Sequence, residues 1–69
     1  MMNKYDLDNY IKEQLSQGQL LDVLSNHLME HTDALIYIVT KHNGDNMSIS
    51  RSRKHAYIKS YIEEVQRYA

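Results

Sequence analysis

Ala34-Leu35-Ile36-Tyr37-Ile38-Val39, followed by Thr40, is the longest uninterrupted apolar run in the chain, and its reading decides the fold. Rich in β-branched and aromatic residues and of strand length, it reads as a β-strand. His42-Asn43-Gly44-Asp45-Asn46 follows as a turn signal, strongest at Asn43-Gly44. Met47-Ser48-Ile49-Ser50-Arg51 then alternates apolar and polar, so the two runs are expected to pair as a β-hairpin. The first strand would be apolar on both faces, with Ala34, Ile36 and Ile38 on one and Leu35, Tyr37 and Val39 on the other. A strand covered on both faces normally lies inside a sheet, and a free edge invites pairing in trans. The expectation is therefore a homodimer joined through strand 34–40.

Outward from the hairpin the periodicity is helical. Leu7, Tyr10, Ile11 and Leu15 predict a helix over residues 6–17, with Asp6 or Asp8 as its cap and Gly18 as its stop. Leu20, Leu21, Leu24 and Leu28 predict a second over 19–31, closing a helical hairpin on the first. Tyr57, Ile58, Tyr61, Ile62, Val65 and Tyr68 predict a last helix over 52–68. The order is α-α-β-β-α, a single α+β domain covering residues 1–69.

Sixty-nine residues with no cysteine bound what such a domain can be. A chain this short buries only about 60% of its unfolded surface, and it has no disulfide or thiolate zinc site to help. There is no apolar signal segment and no run long enough to span a bilayer, so a soluble, cytoplasmic protein with no membrane partner is expected. The net charge of −1 hides a polarity. Residues 1–33 carry two lysines against six carboxylates, a balance of −4, and residues 34–69 carry six cations against three carboxylates, +3. The halves can attract each other, or the basic half can face an acidic partner.

Three patterns bear on chemistry. His27-Leu28-Met29-Glu30-His31 places two imidazoles one helical turn apart, with Glu30 as the general base. Over these five residues the spacing resembles the inverted zinc-peptidase motif, which implies a catalytic zinc. A catalytic zinc also needs a third protein ligand, supporting groups around it and a substrate cleft. Nothing fixes His42 or His55 as that ligand. The chain is accordingly read as neither enzyme nor metalloprotein, with no cofactor, and His27 and His31 are weak metal candidates only.

The second pattern, Ser50-Arg51-Ser52-Arg53-Lys54-His55, puts cations where a helix begins, against the helix dipole. Amides and basic side chains converging there suit an anion, either a phosphate or a partner's carboxylate. The third is the set of six tyrosines in a chain without Phe or Trp, a residue suited to half-wet boundaries and protein interfaces. A helix-turn-helix reading of residues 6–31 fits poorly. Bulky Gln14 stands where the helices would cross, and the second helix carries Asp22 and Glu30 but no Lys or Arg. A ribbon reader using Ser48, Ser50 and Arg51 fits somewhat better.

These observations lead to a non-enzymatic protein-binding module, a small regulator or inhibitor that occludes a partner's surface. Its size is that of the short modulators carried by phages and plasmids, an analogy of size alone. The expected contact surface is Arg51, Arg53, Lys54, Tyr57, Lys59 and Tyr61, with charges steering encounter and tyrosines anchoring it. The alternative is a weak nucleic-acid-binding protein using Lys41, Arg51, Arg53, Lys54 and Lys59.

Overall fold

The apolar run at 34–40 lies in a helix. A computed structural model describes residues 3–44 and 47–68 and contains four helices: α1 (Lys4–Ser16), α2 (Leu21–Glu30), α3 (Thr32–Asn43) and α4 (Arg51–Arg67). No strand occurs among the described residues, so the α+β class and the β-hairpin of the sequence reading are both corrected to an all-helical fold.

The physical reason lies in a pattern that fits both periods. Ala34, Leu35, Ile38 and Val39 are also at i, i+1, i+4 and i+5, a helical stripe. Ala34, Ile38 and Val39 are fully buried, whereas Ile36, which a strand would put beside Ala34 and Ile38, is 45% exposed. A strand apolar on both faces needs cover on both, and the one-sided segment 47–51 could not provide it. Strand propensity differs among residues by about 1 kcal/mol, less than the about 1.5–3 kcal/mol of burying a single large aliphatic side chain. Tertiary cover therefore decides.

The ends of α3 agree with this choice. His31 Nδ1 accepts a 3.4 Å hydrogen bond from the Ala34 amide, Asp33 sits in the first turn, and Lys41 and His42 sit in the last. Gly44 ends the helix at φ 64°, so the expected hairpin turn is a helix stop. The remainder of that turn, Asp45 and Asn46, lies outside the described residues. Because residues 34–40 are helical they offer no sheet edge, and the expected dimer contact through them loses its structural basis.

The other helices stand close to where the periodicity puts them. Asn3, rather than Asp6 or Asp8, caps α1, its side-chain oxygen accepting from the Asp6 amide at 2.9 Å. Past the last turn, Gly18 at φ 85° donates to the Leu15 carbonyl and Gln19 to that of Gln14, both at 3.0 Å. This is the Schellman arrangement, which requires a left-handed residue where the glycine stands. Residue 31 alone joins α2 to α3, closing one helix and capping the next. Ser50 caps α4 by accepting from the Arg53 amide at 3.1 Å.

Helix α4 is the hub, packing against each of the other three. Its Ile58, Tyr61, Ile62 and Val65 meet Leu7 and Ile11 of α1, Leu24, Leu28 and Met29 of α2, and Ala34 and Ile38 of α3 in one core. The leucine stripe of α2 thus turns chiefly towards α4, while Leu20 at its start is exposed. The radius of gyration, 11.2 Å, matches the about 11 Å of a compact domain of this length. No helix among the described residues is long and apolar enough to cross a membrane.

Candidate functional site

The expected surface residues do not form one surface. Tyr61 is in the core, 1% exposed. Tyr57 is half-buried and stacks on His42, with ring centroids 5.2 Å apart. Lys59 pairs with Asp22 of α2 at 3.2 Å, an ion pair that joins the acidic half of the chain to the basic half. Arg51, Arg53 and Lys54 remain together at the start of α4, the two arginines exposed, and none of the three makes an ion pair among the described residues. Beside them Asn26, Arg51, Ser52 and His55 line a shallow open depression between α2 and α4. Lys41 is elsewhere, 3.9 Å from Glu64. Glu64 stands thirteen positions after Arg51 along the helix, about 20 Å along the axis. The five cations of the nucleic-acid reading are therefore split between two regions.

The histidine pair also changes meaning. Helix α2 ends at Glu30, so His27 is helical while His31 is the junction whose Nδ1 caps α3. The second imidazole of the pair is thus engaged as a cap through its Nδ1. No group of three His, Cys, Asp or Glu side chains that could hold a metal occurs among the described residues.

The richest cluster of ionisable groups lies at the other end of α4, in a groove of about 90 Å³. Helix α1 contributes Lys4, Asp8 and Lys12, and α3 contributes Lys41. Tyr61, Glu64, Val65 and Tyr68 complete it from α4 and its C-cap. Asp8 forms the floor. One of its oxygens accepts the Tyr61 hydroxyl at 2.5 Å, and the other accepts the Lys4 ammonium at 2.6 Å. Burial acts most strongly on the Asp8 carboxyl, in the upward direction, but the bonds from Lys4 and Tyr61 and the charges of Lys4 and Lys12 outweigh it and hold the pKa below its ordinary value. The same bond, added to burial, pushes the Tyr61 hydroxyl far above its ordinary range, and Asp8 raises Lys4. Tyr61 is further fixed by the edge of Tyr37, 6.1 Å between ring centroids, and by the Lys41 ammonium 5.0 Å from its own ring centroid.

One exposed tyrosine lines the groove, and a second stands on the same side of α1 as two of its lining residues. Tyr68, 76% exposed, is part of its lining. Tyr5, 74% exposed, stands at i−3 and i−7 from Asp8 and Lys12, on the same side of α1. Sequence reasoning passed over this cluster. Asp8 looks like a helix cap, Lys4 and Lys12 look like solvated charges, and no local spacing announces a partner 53 residues away.

Comparisons with protein-family models, with curated proteins and with solved structures found no match.

Proposed function

We propose that this protein is a non-enzymatic, cytoplasmic protein-binding module that acts by covering part of a partner's surface, with the groove between α1, α3 and α4 as its contact site. The observation that carries the reading is the coincidence of Tyr68, 76% exposed, with a lysine-rimmed concave surface, while Tyr5, 74% exposed, lies on the same side of α1 as Asp8 and Lys12. Exposed tyrosine beside a depression is the composition of an interface anchor, and the surrounding charges supply steering. The basic start of α4 offers charge but no exposed aromatic, because Tyr57 is packed on His42.

A second reading, nucleic-acid binding at that start, is favoured by Arg51, Arg53 and Lys54 having no ion pair among the described residues. With three cations in place of five, its complexes would be weak and salt-sensitive. Self-association, if it occurs, uses exposed side chains such as Leu20, Val23 or Ile36 instead of a strand edge.

The test is a pull-down from the lysate of the source cell or its host, with nuclease, comparing the natural chain with Tyr5→Ser/Tyr68→Ser and Arg51→Glu/Arg53→Glu. A stoichiometric protein lost only with the tyrosine variant supports the proposal. Retention by the tyrosine variant, or recovery that depends on nucleic acid and the arginines, overturns it.

A further inference from the structure

Resting on that reading, the groove also names the chemistry of what it binds. We propose that it receives an acidic segment of the partner protein, an Asp or Glu carboxylate entering among Lys4, Lys12 and Lys41 while a neighbouring apolar side chain lies on Tyr68.

The argument is an accounting of charge by accessibility. The lining holds three ammonium groups and two carboxylates, but these are not equally presented. The Asp8 side chain is 19% exposed, with both oxygens engaged by Lys4 and Tyr61. The Lys4–Asp8 pair cancels, so a ligand arriving from solvent meets Lys12 and Lys41 against one accessible carboxylate, Glu64, a local balance of +1. That carboxylate lies 3.9 Å from Lys41, a loose contact. Lys12 makes no ion pair among the described residues, so its ammonium is free to bind without breaking an internal bond. The negative ends of α3 and α4 lie nearby and temper this excess, and the positive start of α1 partly offsets them. The groove is open to solvent, and its volume of about 90 Å³ leaves room for a side-chain carboxylate. An apolar side chain beside that carboxylate can lie on Tyr68, which is part of the lining.

The probe is the peptide acetyl-Glu-Glu-Leu-Glu-Glu-amide, titrated into the isotope-labelled 69-residue chain and followed by backbone amide shifts. The neutral Gln and basic Lys versions of the same peptide serve as controls. The acidic peptide should shift the amides of Asp8, Lys12, Lys41 and Tyr68, and bind more weakly when salt rises from about 50 to about 500 mM. Lys12→Glu/Lys41→Glu should weaken it by about tenfold or more. Lys12→Gln, which disturbs no bond within the fold, should weaken it by a smaller factor. Equal binding of the neutral or basic peptide, shifts confined to Arg51–His55, or no saturation by about 10 mM peptide would each overturn the proposal. If a partner captured from lysate depends on Tyr5 and Tyr68 but survives Lys12→Glu/Lys41→Glu, the acidic ligand is wrong and the binding-module reading stands. Peptide binding with no tyrosine-dependent protein partner separates the two in the other direction.

Discussion

Replacing Tyr61 by Phe removes one oxygen and tests the tie between the first helix and the last. The ring stays, so its packing on Tyr37 and beneath Lys41 is retained and the loss is confined to the hydrogen bond on Asp8. A hydrogen bond to a charged group contributes about 1.5–3 kcal/mol. The groove mouth is open to water, which places this one in the lower part of that range, about 1.5–2 kcal/mol. For a domain of this size that lowers the melting temperature by about 6–16 °C. The pH dependence follows from Asp8. Its folded pKa is depressed below the ordinary 3.8, so the stability it contributes is complete above that value and is lost as pH falls through the folded value. The gap between natural chain and variant, measured by urea unfolding, should be full at neutral pH and close below about pH 4. Asp8→Asn and the double variant complete a cycle, with a coupling of about 1 kcal/mol or more at neutral pH. A Tyr61→Phe variant within about 0.5 kcal/mol of the natural chain at neutral pH, or a gap that persists undiminished at about pH 2.5, would refute the reasoning.

Ile36 and Ile38 separate helix from strand directly: Ile38→Ala should cost about 2–5 kcal/mol and Ile36→Ala much less, whereas a strand reading makes the two alike in urea titrations. Gly18→Ala puts a Cβ at φ 85° with nothing within 4 Å of it, so its cost is backbone strain alone, about 1–2 kcal/mol, seen as a lower thermal midpoint. Arg53→Glu should raise stability by about 0.3–1 kcal/mol at low salt by satisfying the α4 dipole, a gain that circular dichroism melts should show shrinking as salt is added; a loss of stability would mean that the arginine has an unrecognised partner.

Helices α1, α2 and α4 were legible because their apolar residues recur at one period only. Residues 34–40 were not, since a dense β-branched run satisfies both periods and only the neighbours available to cover it decide. Asn43-Gly44 misled for a related reason: a residue at positive φ closes a hairpin and stops a helix equally well. At the candidate site, the cations of Arg51–Lys54 could be found by composition, and they do stand together. The role of Tyr61 could not, because a tyrosine on an amphipathic stripe reads the same whether its hydroxyl reaches water or, as here, a carboxylate 53 residues earlier.

The central position of α4 has a consequence for the order of events during synthesis. As the chain is made from its N-terminus, α1, α2 and α3 appear before the surface on which they pack. Each has 13 residues or fewer, below or near the about 12–15 at which an isolated helix becomes even marginal in water. Until residues 58–65 arrive and give all three a common partner, they have only one another to pack on, with Leu7, Leu28 and Ile38 lacking their cover from α4. Assembly is then closer to a single closing step than to a sequence of additions, and the nascent chain is most exposed to misassociation just before its last helix is complete.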